Sequence, residues 1–516
     1  MVRFAWLKRV AKSAVSGVVA VALAAGCNAG WTAMSPGGGV AGDRNELVVA
    51  TGAEPINLDF TTTSGAAIPQ LLLNNVYETL VKIGQNGDIE PLLAHSWTIS
   101  DDRLVYDFYL QPGVTFFNLS RTPFTAHDVV ASFDRTQTDW LNAIAGGMAI
   151  IEKTEAIDDL HVRVTLSRPS NQFLFTLGTP AGAIFPADID FDKATETIGT
   201  GPFTVTSVSP GQHIILEGRQ DYWGEPPGMQ RIEVRYMQDT TAAVNAFRAG
   251  EINMMVNLAS GDQTRQLENE PGVQVLVGTS TGDVLWSFNN RRPPFDDVRV
   301  RRAFAYAVDF SALNDAVAAG FGTLVATMVT PQDPFFEDLT NEFPYDPARA
   351  RELIVEYAAE QGITELNVTL DVPNLLYATQ AAEVIQSYLA QVGVNASINI
   401  LEFPAVWLDQ VFRNHDFGMS IIMHSEAWDL LTVFGDPNYY VGYDNPAIMQ
   451  IANAADQGSP EQWVEGMRTI VREIVADAPA IVLYLAPRLT VADINLTGIQ
   501  PNGVTESMDL TQIRWR

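Results

Sequence analysis

The chain of 516 residues carries one cysteine, Cys27. A lone thiol cannot make an intramolecular disulfide, so no covalent cross-link between side chains constrains the fold. The place of that cysteine adds a second constraint. Upstream lie Arg3, Lys8, Arg9 and Lys12, then an apolar run from Ala14 to Ala25, then Gly26. A charged start, a short apolar stretch and small residues before a cut are the order of a secretory signal. The run is about 12 residues long, against roughly 20 for a helix that crosses a bilayer. Residues 1–27 therefore read as a cleaved leader, and the remainder as a body that works outside the cytoplasm, in the periplasm or at the cell surface.

Leu23-Ala24-Ala25-Gly26-Cys27 resembles the bacterial lipobox, in which the cysteine receives a lipid. That makes Cys27 the candidate lipid-attachment site, the alternative being a plain secretory signal with an incidental cysteine. Residues 28–43 include Gly30, Ser35, Pro36 and Gly37-Gly38-Gly39 without hydrophobic periodicity, the composition of a flexible tether. Two or three acyl chains on Cys27 would hold the body to a membrane more firmly than one.

The body is long enough for several domains. Its 47% hydrophobic content is ordinary for globular proteins, and no second long apolar run suggests a multispan membrane protein. Formal charge is −30, and removing the four basic residues of the leader takes it to −34. Lysine is nearly absent from the body: Lys82, Lys153 and Lys193. Nucleic-acid binding is excluded, because phosphate contacts need dense Lys and Arg.

Periodicity gives the elements. Leu47 to Ala50 reads as a strand, 66–83 as a helix, and 96–110 as strand–turn–strand. Thr125 is placed to cap a helix, with Asp128 in its first turn. Val162 to Leu166 alternates, and Gly199-Thr200-Gly201-Pro202-Phe203 leads into a hairpin that runs to Leu216. Later segments read as helices at 299–319, 347–360, 376–391, 404–413 and 459–476. Strands fall at 366–370, 396–401, 417–423 and 481–485. That alternation predicts an open α/β layer.

Motifs of enzymes are missing: no His-Glu-x-x-His, no Gly-x-Ser-x-Gly, no phosphate loop and no Cys-x-x-Cys. The six histidines (95, 127, 161, 213, 415, 424) are not at metal-ligand spacings. Carboxylate pairs such as Asp101-Asp102 and Asp296-Asp297 read as turns or caps rather than a glycosidase dyad. The chain is read as a non-enzyme with no cofactor and no metal site.

Four ordered blocks resemble one family. They are Leu93-Ala94-His95-Ser96-Trp97 through Phe116 to Val129; Gly199 to Phe203 with Asp221-Tyr222-Trp223-Gly224 and Ala246 to Asn253; Phe288 to Phe304; and Asp477-Ala478-Pro479-Ala480. Together they are similar to the extracytoplasmic solute-binding proteins of ABC transporters, family 5, of the peptide/nickel type. The resemblance spans about 45–500. Most of these residues read as scaffold: Asp296-Asp297 precede a helix with basic residues behind them, and Trp223 and Phe304 read as core aromatics.

The resemblance implies an α/β, two-lobed fold of the type II periplasmic-binding-protein kind, with an accessory domain inserted in the first lobe. Lobe I would be 44–77, 196–286 and 492–516, the accessory domain 78–195, and lobe II 287–491. Chain crossings near 286 and 491 would form a hinge, and the lobes would close on a solute, a peptide foremost. Partners would be the solute and the permease subunits of an importer, with the receptor a monomer. Candidate contacts are Asn57, Leu58, Trp286, Asn289, Trp407, His424, Glu426, Trp428 and Asp429. In peptide-binding relatives an aspartate after a tryptophan in this last region pairs with the solute's α-amino group, a charge-assisted bond suited to a dry cleft. Each candidate has a plain structural alternative: Trp407 as helix core, His424 as a satisfied strand-end histidine, Asp429 as a helix cap. An oligosaccharide, an opine-like conjugate and a metal chelate stand as other solutes, and a surface hydrolase as another activity.

Overall fold

In the computed structural model, residues 44–62, 66–117, 120–140, 143–258, 260–425 and 429–516 are described. The leader, Cys27 and the 28–43 tether lie outside them, as do Glu426 and Trp428. The backbone of the fold is a ten-stranded mixed sheet. Its order from one edge is Val394–Leu401, Leu366–Pro373, Met419–His424, Val273–Phe288, Ala480–Asp493, Met254–Val256, Glu46–Thr51, Arg231–Tyr236, His213–Gly218 and Phe203–Ser209. The two central strands, Val273–Phe288 and Ala480–Asp493, are the longest and pair antiparallel. One end of that pair (Val273 to Thr279 with Pro487 to Asp493) lies beside Met254–Val256; the other (Asp283 to Ser287 with Ala480 to Leu485) lies beside Met419–His424.

Between the ends the ladder breaks. Thr279 pairs with Pro487 and Asp283 with Leu485, so Ser280, Thr281 and Gly282 oppose the single residue Ala486. Pro487 has no N–H to give, which suits the margin of an interruption. The bulge is tied locally: Ser280 Oγ donates to the Ala486 carbonyl at 2.6 Å and accepts from Gly282 N at 3.1 Å.

Apolar packing follows the same division. One cluster joins Leu47, Val49, Leu72, Tyr77, Phe203, Leu216, Ile232, Ala492 and Leu510. A second surrounds Trp286, Phe288, Phe304, Leu370, Ile385 and Leu389, and a third Trp407, Tyr440, Trp463 and Leu485. A fourth lies under a separate four-stranded antiparallel sheet, Ala94–Ile99, Val105–Leu110, His161–Leu166 and Ile151–Asp158, covered by the helix Ala126–Thr138. That helix begins with a capping box, as Thr125 and Asp128 foretell.

Three helices differ from the periodic reading. The helix expected over 66–83 stops at Leu72, because Asn74 takes a left-handed φ of 66° and the buried Asn75 amide bonds to Leu71 O and Met508 O, both at 2.9 Å. The one expected over 299–319 divides at Val308: Asp309 accepts from Ala312 N and starts a new helix, Phe310–Ala318. Residues 408–413 wind wider than an α-helix. The helix Pro446–Gln457 was not anticipated, although Asn445-Pro446 is a cap with proline at the first position.

The blocks that carry the family resemblance have structural work to do. A Cβ on Gly199 would come within 1.9 Å of Val76 O, and Gly201 N donates to that same carbonyl at 2.9 Å. Buried Glu78 accepts from Tyr222 Oη (2.6 Å) and Trp223 Nε1 (3.0 Å), which fixes the 221–224 turn; its carboxyl is pushed up by burial. Arg301 is 6% exposed and donates to Phe295 O (2.8 Å), Asp477 O (2.9 Å) and Ala478 O (3.2 Å). It thereby satisfies the end of the helix Pro460–Asp477, where Ala478 is left-handed. Burial holds its guanidinium below the usual arginine range.

Two outcomes are expected. Arg301→Ala strands several buried carbonyls at once and is expected to cost about 3 kcal/mol in urea unfolding. Asp509, 6% exposed, is ion-paired with Lys82 and accepts from Thr511 N (2.9 Å) and Thr511 Oγ1 (2.6 Å). Burial alone would raise its carboxyl, but Lys82 and Thr511 outweigh it and hold it below the usual range. A lowered aspartate stabilises the fold above its unfolded value, about 3.9, and loses that contribution as pH falls through the folded value. Unfolding free energy measured from pH 5 downward is therefore expected to fall less steeply in Asp509→Asn than in the parent chain.

Candidate functional site

A small cavity of about 30 Å³ lies where the far end of the central strand pair meets the four-stranded subdomain and the Met328 to Pro334 segment. Thr281, Asp283 and Leu485 come from the central strands, Ile83 and Gly87 from the hairpin of Val81–Ile83 and Ile89–Pro91, and Phe175 from the helix Phe173–Leu177. Asp429 and Asp333 complete the acidic lining. The charged side chains among the described lining residues are thus all carboxylates. Asp333 also shapes its own turn, accepting from Thr330 N at 2.7 Å and Thr330 Oγ1 at 2.9 Å.

Behind this wall runs a buried polar chain. Asp283 and His424 are register partners on adjacent strands. His424 Nδ1 lies 3.1 Å from Asp429 Oδ2, His424 Nε2 3.1 Å from Tyr440 Oη, and Tyr440 Oη 2.7 Å from Ser287 Oγ. With a neutral imidazole the directions agree: Ser287 donates to Tyr440, Tyr440 to Nε2, and Nδ1–H to the Asp429 carboxylate. Every bond orients the next group, so Asp429 is fixed from behind. The Tyr440 phenol is held well above its ordinary range by burial, so it remains a donor. Trp407 is 3% exposed, donates Nε1 to Ser420 Oγ at 3.0 Å and sets its ring against Tyr440, with centroids 6.1 Å apart.

The other expected contacts stand elsewhere. Trp286 is fully buried against Phe288 and Phe304, in the cluster under the helices. Asn289 is fully buried, donating to His415 O (2.9 Å) and Phe417 O (3.1 Å). Asn57 Oδ1 accepts from Asp59 N at 2.9 Å in a turn, and Leu58 belongs to the core around Leu47. Of the described candidates, Asp429 lines the cavity and His424 and Trp407 support it.

Asp283, Ser287 and Tyr440 escaped sequence reasoning. A signal for Asp283 was present: one carboxylate inside the apolar run Gly282-Asp283-Val284-Leu285-Trp286. An ionisable strand residue that is 2% exposed needs a reason beyond packing. Among the described residues no group of three or more His, Cys, Asp or Glu is placed to hold a metal ion. Among them too, no helix is long and apolar enough to cross a membrane.

Comparison with known proteins agrees with this architecture. Residues 88–443 match the profile of bacterial extracellular solute-binding proteins, family 5. Heme-binding protein A of Haemophilus influenzae is 30% identical over 354 residues, 62% of this chain and 64% of that protein. Di/tripeptide-binding protein 2 of Pseudomonas aeruginosa is 28% identical over 438 residues, 77% of this chain and 78% of the relative. In fold, the chain is similar to the ABC transporter substrate-binding protein CtaP of Listeria monocytogenes, with TM-score 0.81, 21% identity and coverage of 91% and 99%. It is similar as well to the periplasmic binding protein DppA of Helicobacter pylori in complex with the peptide STSA, with TM-score 0.74, 24% identity and coverage of 91% and 98%. The chain belongs to the family 5 bacterial extracellular solute-binding proteins.

Proposed function

We infer that this protein is the extracytoplasmic receptor of an ABC importer and that its solute is a short peptide bound by its ammonium group. The observation that carries the reading is the cavity itself: Asp283, Asp333 and Asp429 line it together, with no cationic side chain among its described lining residues. An ammonium group offsets that charge, and N–H donors to a preset carboxylate in a dry cleft make strong, charge-assisted bonds. The peptide-binding relatives point the same way.

In this reading lobe I is 44–77 with 196–286 and 492–516, lobe II is 287–491, and 78–195 is the accessory domain. The hinge lies at the 280–282 bulge opposite Ala486, where the ladder between the central strands is interrupted. The receptor works as a monomer without catalysis or cofactor. Residues 1–27 direct export, lipid on Cys27 holds the body near the membrane, and permease subunits take the solute.

Mass spectrometry of solute released from purified protein is expected to give short peptides; release of a sugar, an opine-like conjugate or a metal chelate would replace that reading. Thermal shift with a di- and tripeptide panel should show stabilisation by free-amine peptides that vanishes on N-acetylation. Hydrolysis of the panel, in place of reversible shifts, would make the protein an enzyme. Asp429→Asn keeps an acceptor for His424 and removes the charge. Its Kd for a stabilising peptide should rise about tenfold to a hundredfold, read by calorimetry.

A further inference from the structure

The junction between the four-stranded subdomain and the helix Pro446–Gln457 contains an ion pair with a buried carboxylate that does not itself line the acidic cavity, although the loop it meets leads into the helix that supplies Phe175 there. Asp456 stands near the end of that helix and is 3% exposed. Its carboxylate accepts from Arg168 Nη1 (2.6 Å), Ser170 Oγ (2.9 Å), Asn171 N (2.8 Å) and Gln172 N (3.3 Å). The Asn171 amide returns the contact, donating to the last carbonyls of the helix: Ala455 O (3.2 Å), Asp456 O (2.9 Å) and Gly458 O (3.1 Å). All of these bonds join residues more than 280 positions apart.

The two sides of this junction belong to different bodies. Ala455 packs in the cluster of Trp407 and Trp463, on the far side of the central bulge. Residues 168–172 lead into Phe173, in the core of the subdomain. The subdomain is fastened to the first lobe by Lys82 with Asp509, by Glu78 with Tyr222 and Trp223, and by Arg219 with the Thr115 carbonyl (3.1 Å). A rotation at the 280–282 bulge leaves those fastenings intact and pulls Asp456 away from residues 168–172. Within a lobe such a junction would only stiffen the fold; across the hinge it biases an equilibrium.

We propose that Asp456 and the 168–172 loop form a clasp that favours the closed receptor independently of the solute. Asp456 is then a positioning residue: it touches no solute, yet it sets the fraction of receptor that is closed before solute arrives, and through that fraction the apparent affinity. The inference rests on the two-lobed hinge, and not on which solute is bound. Its partners on the loop are donors throughout, so the carboxylate charge, rather than the shape of the side chain, is what the clasp uses.

The test needs no solute. Full-length protein is refolded from guanidinium to strip carried-over solute, then studied by solution scattering and amide hydrogen exchange. Asp456→Ala is expected to give a larger radius of gyration than the parent, and exchange at the Asn171 and Gln172 amides at least about tenfold faster. Arg168→Ala should move both readings the same way by less. Where the alanine variant loses its cooperative melt, Asp456→Asn, which keeps the shape and drops the charge, supplies the same two readings. An unchanged radius in a folded variant overturns the clasp, whether or not the two amides exchange faster. Faster exchange alone would make the junction local structure that does not hold the lobes.

Discussion

Everything distinctive about this molecule depends on one pair of strands. Val273–Phe288 and Ala480–Asp493 run through the middle of the ten-stranded sheet, so two sets of packed elements share one hydrogen-bonded ladder. A continuous ladder would make them one stiff body. Three residues opposite one, with Pro487 at the margin, interrupt it, and the register shifts again between Val284 and Leu285. Backbone pairing gives the connection its fixed position, and in the proposed reading the missing pairs are where it bends. The residue that follows the bulge on one strand is Asp283, and the one before it on the other is Leu485; both line the acidic cavity. The cavity wall and the ladder interruption are therefore built from the same few residues.

The scaffold was legible in the sequence wherever one local rule decided the outcome. Asp346 with Pro347 set a helix start, Thr125 with Asp128 a capping box, and alternation in 96–110 gave two strands of the four-stranded sheet. Reading failed where a distant partner overrode periodicity. The apolar stripe of 66–83 continues as if helical, but Asn75 bonds to the chain near Met508 and the helix ends. No window of nearby residues contains that information.

The site was legible in part, for a related reason. A motif near Trp428 drew attention to Asp429, and Asp429 does line the cavity. The large aromatics drew attention as well, yet Trp286 and Trp407 are buried in cores, where aromatic area is most useful. Sequence alone does not separate a tryptophan that faces a cleft from one that faces a helix layer. Asp283 and Ser287 on one strand meet His424 on its neighbour and Tyr440 from a later turn because the two strands are neighbours in the sheet. The polar chain of Ser287, Tyr440 and His424 orients Asp429, and only His424 lies close to it in sequence.

Closing such a cleft has an electrostatic cost that the fold must offset. Asp283, Asp333 and Asp429 line one small cavity, and carboxylates that are ionised together in a poorly solvated space repel. In the proposed reading the cost is lifted by an ammonium group, so the closed state selects a cationic solute by charge before any contact selects it by shape. The Asp456 junction acts with the opposite sign: it brings an anion to Arg168 and a row of donors as the same lobes meet. One acidic site resists closure and one is satisfied by it. In that reading the gap between open and closed forms is a difference between two opposed terms.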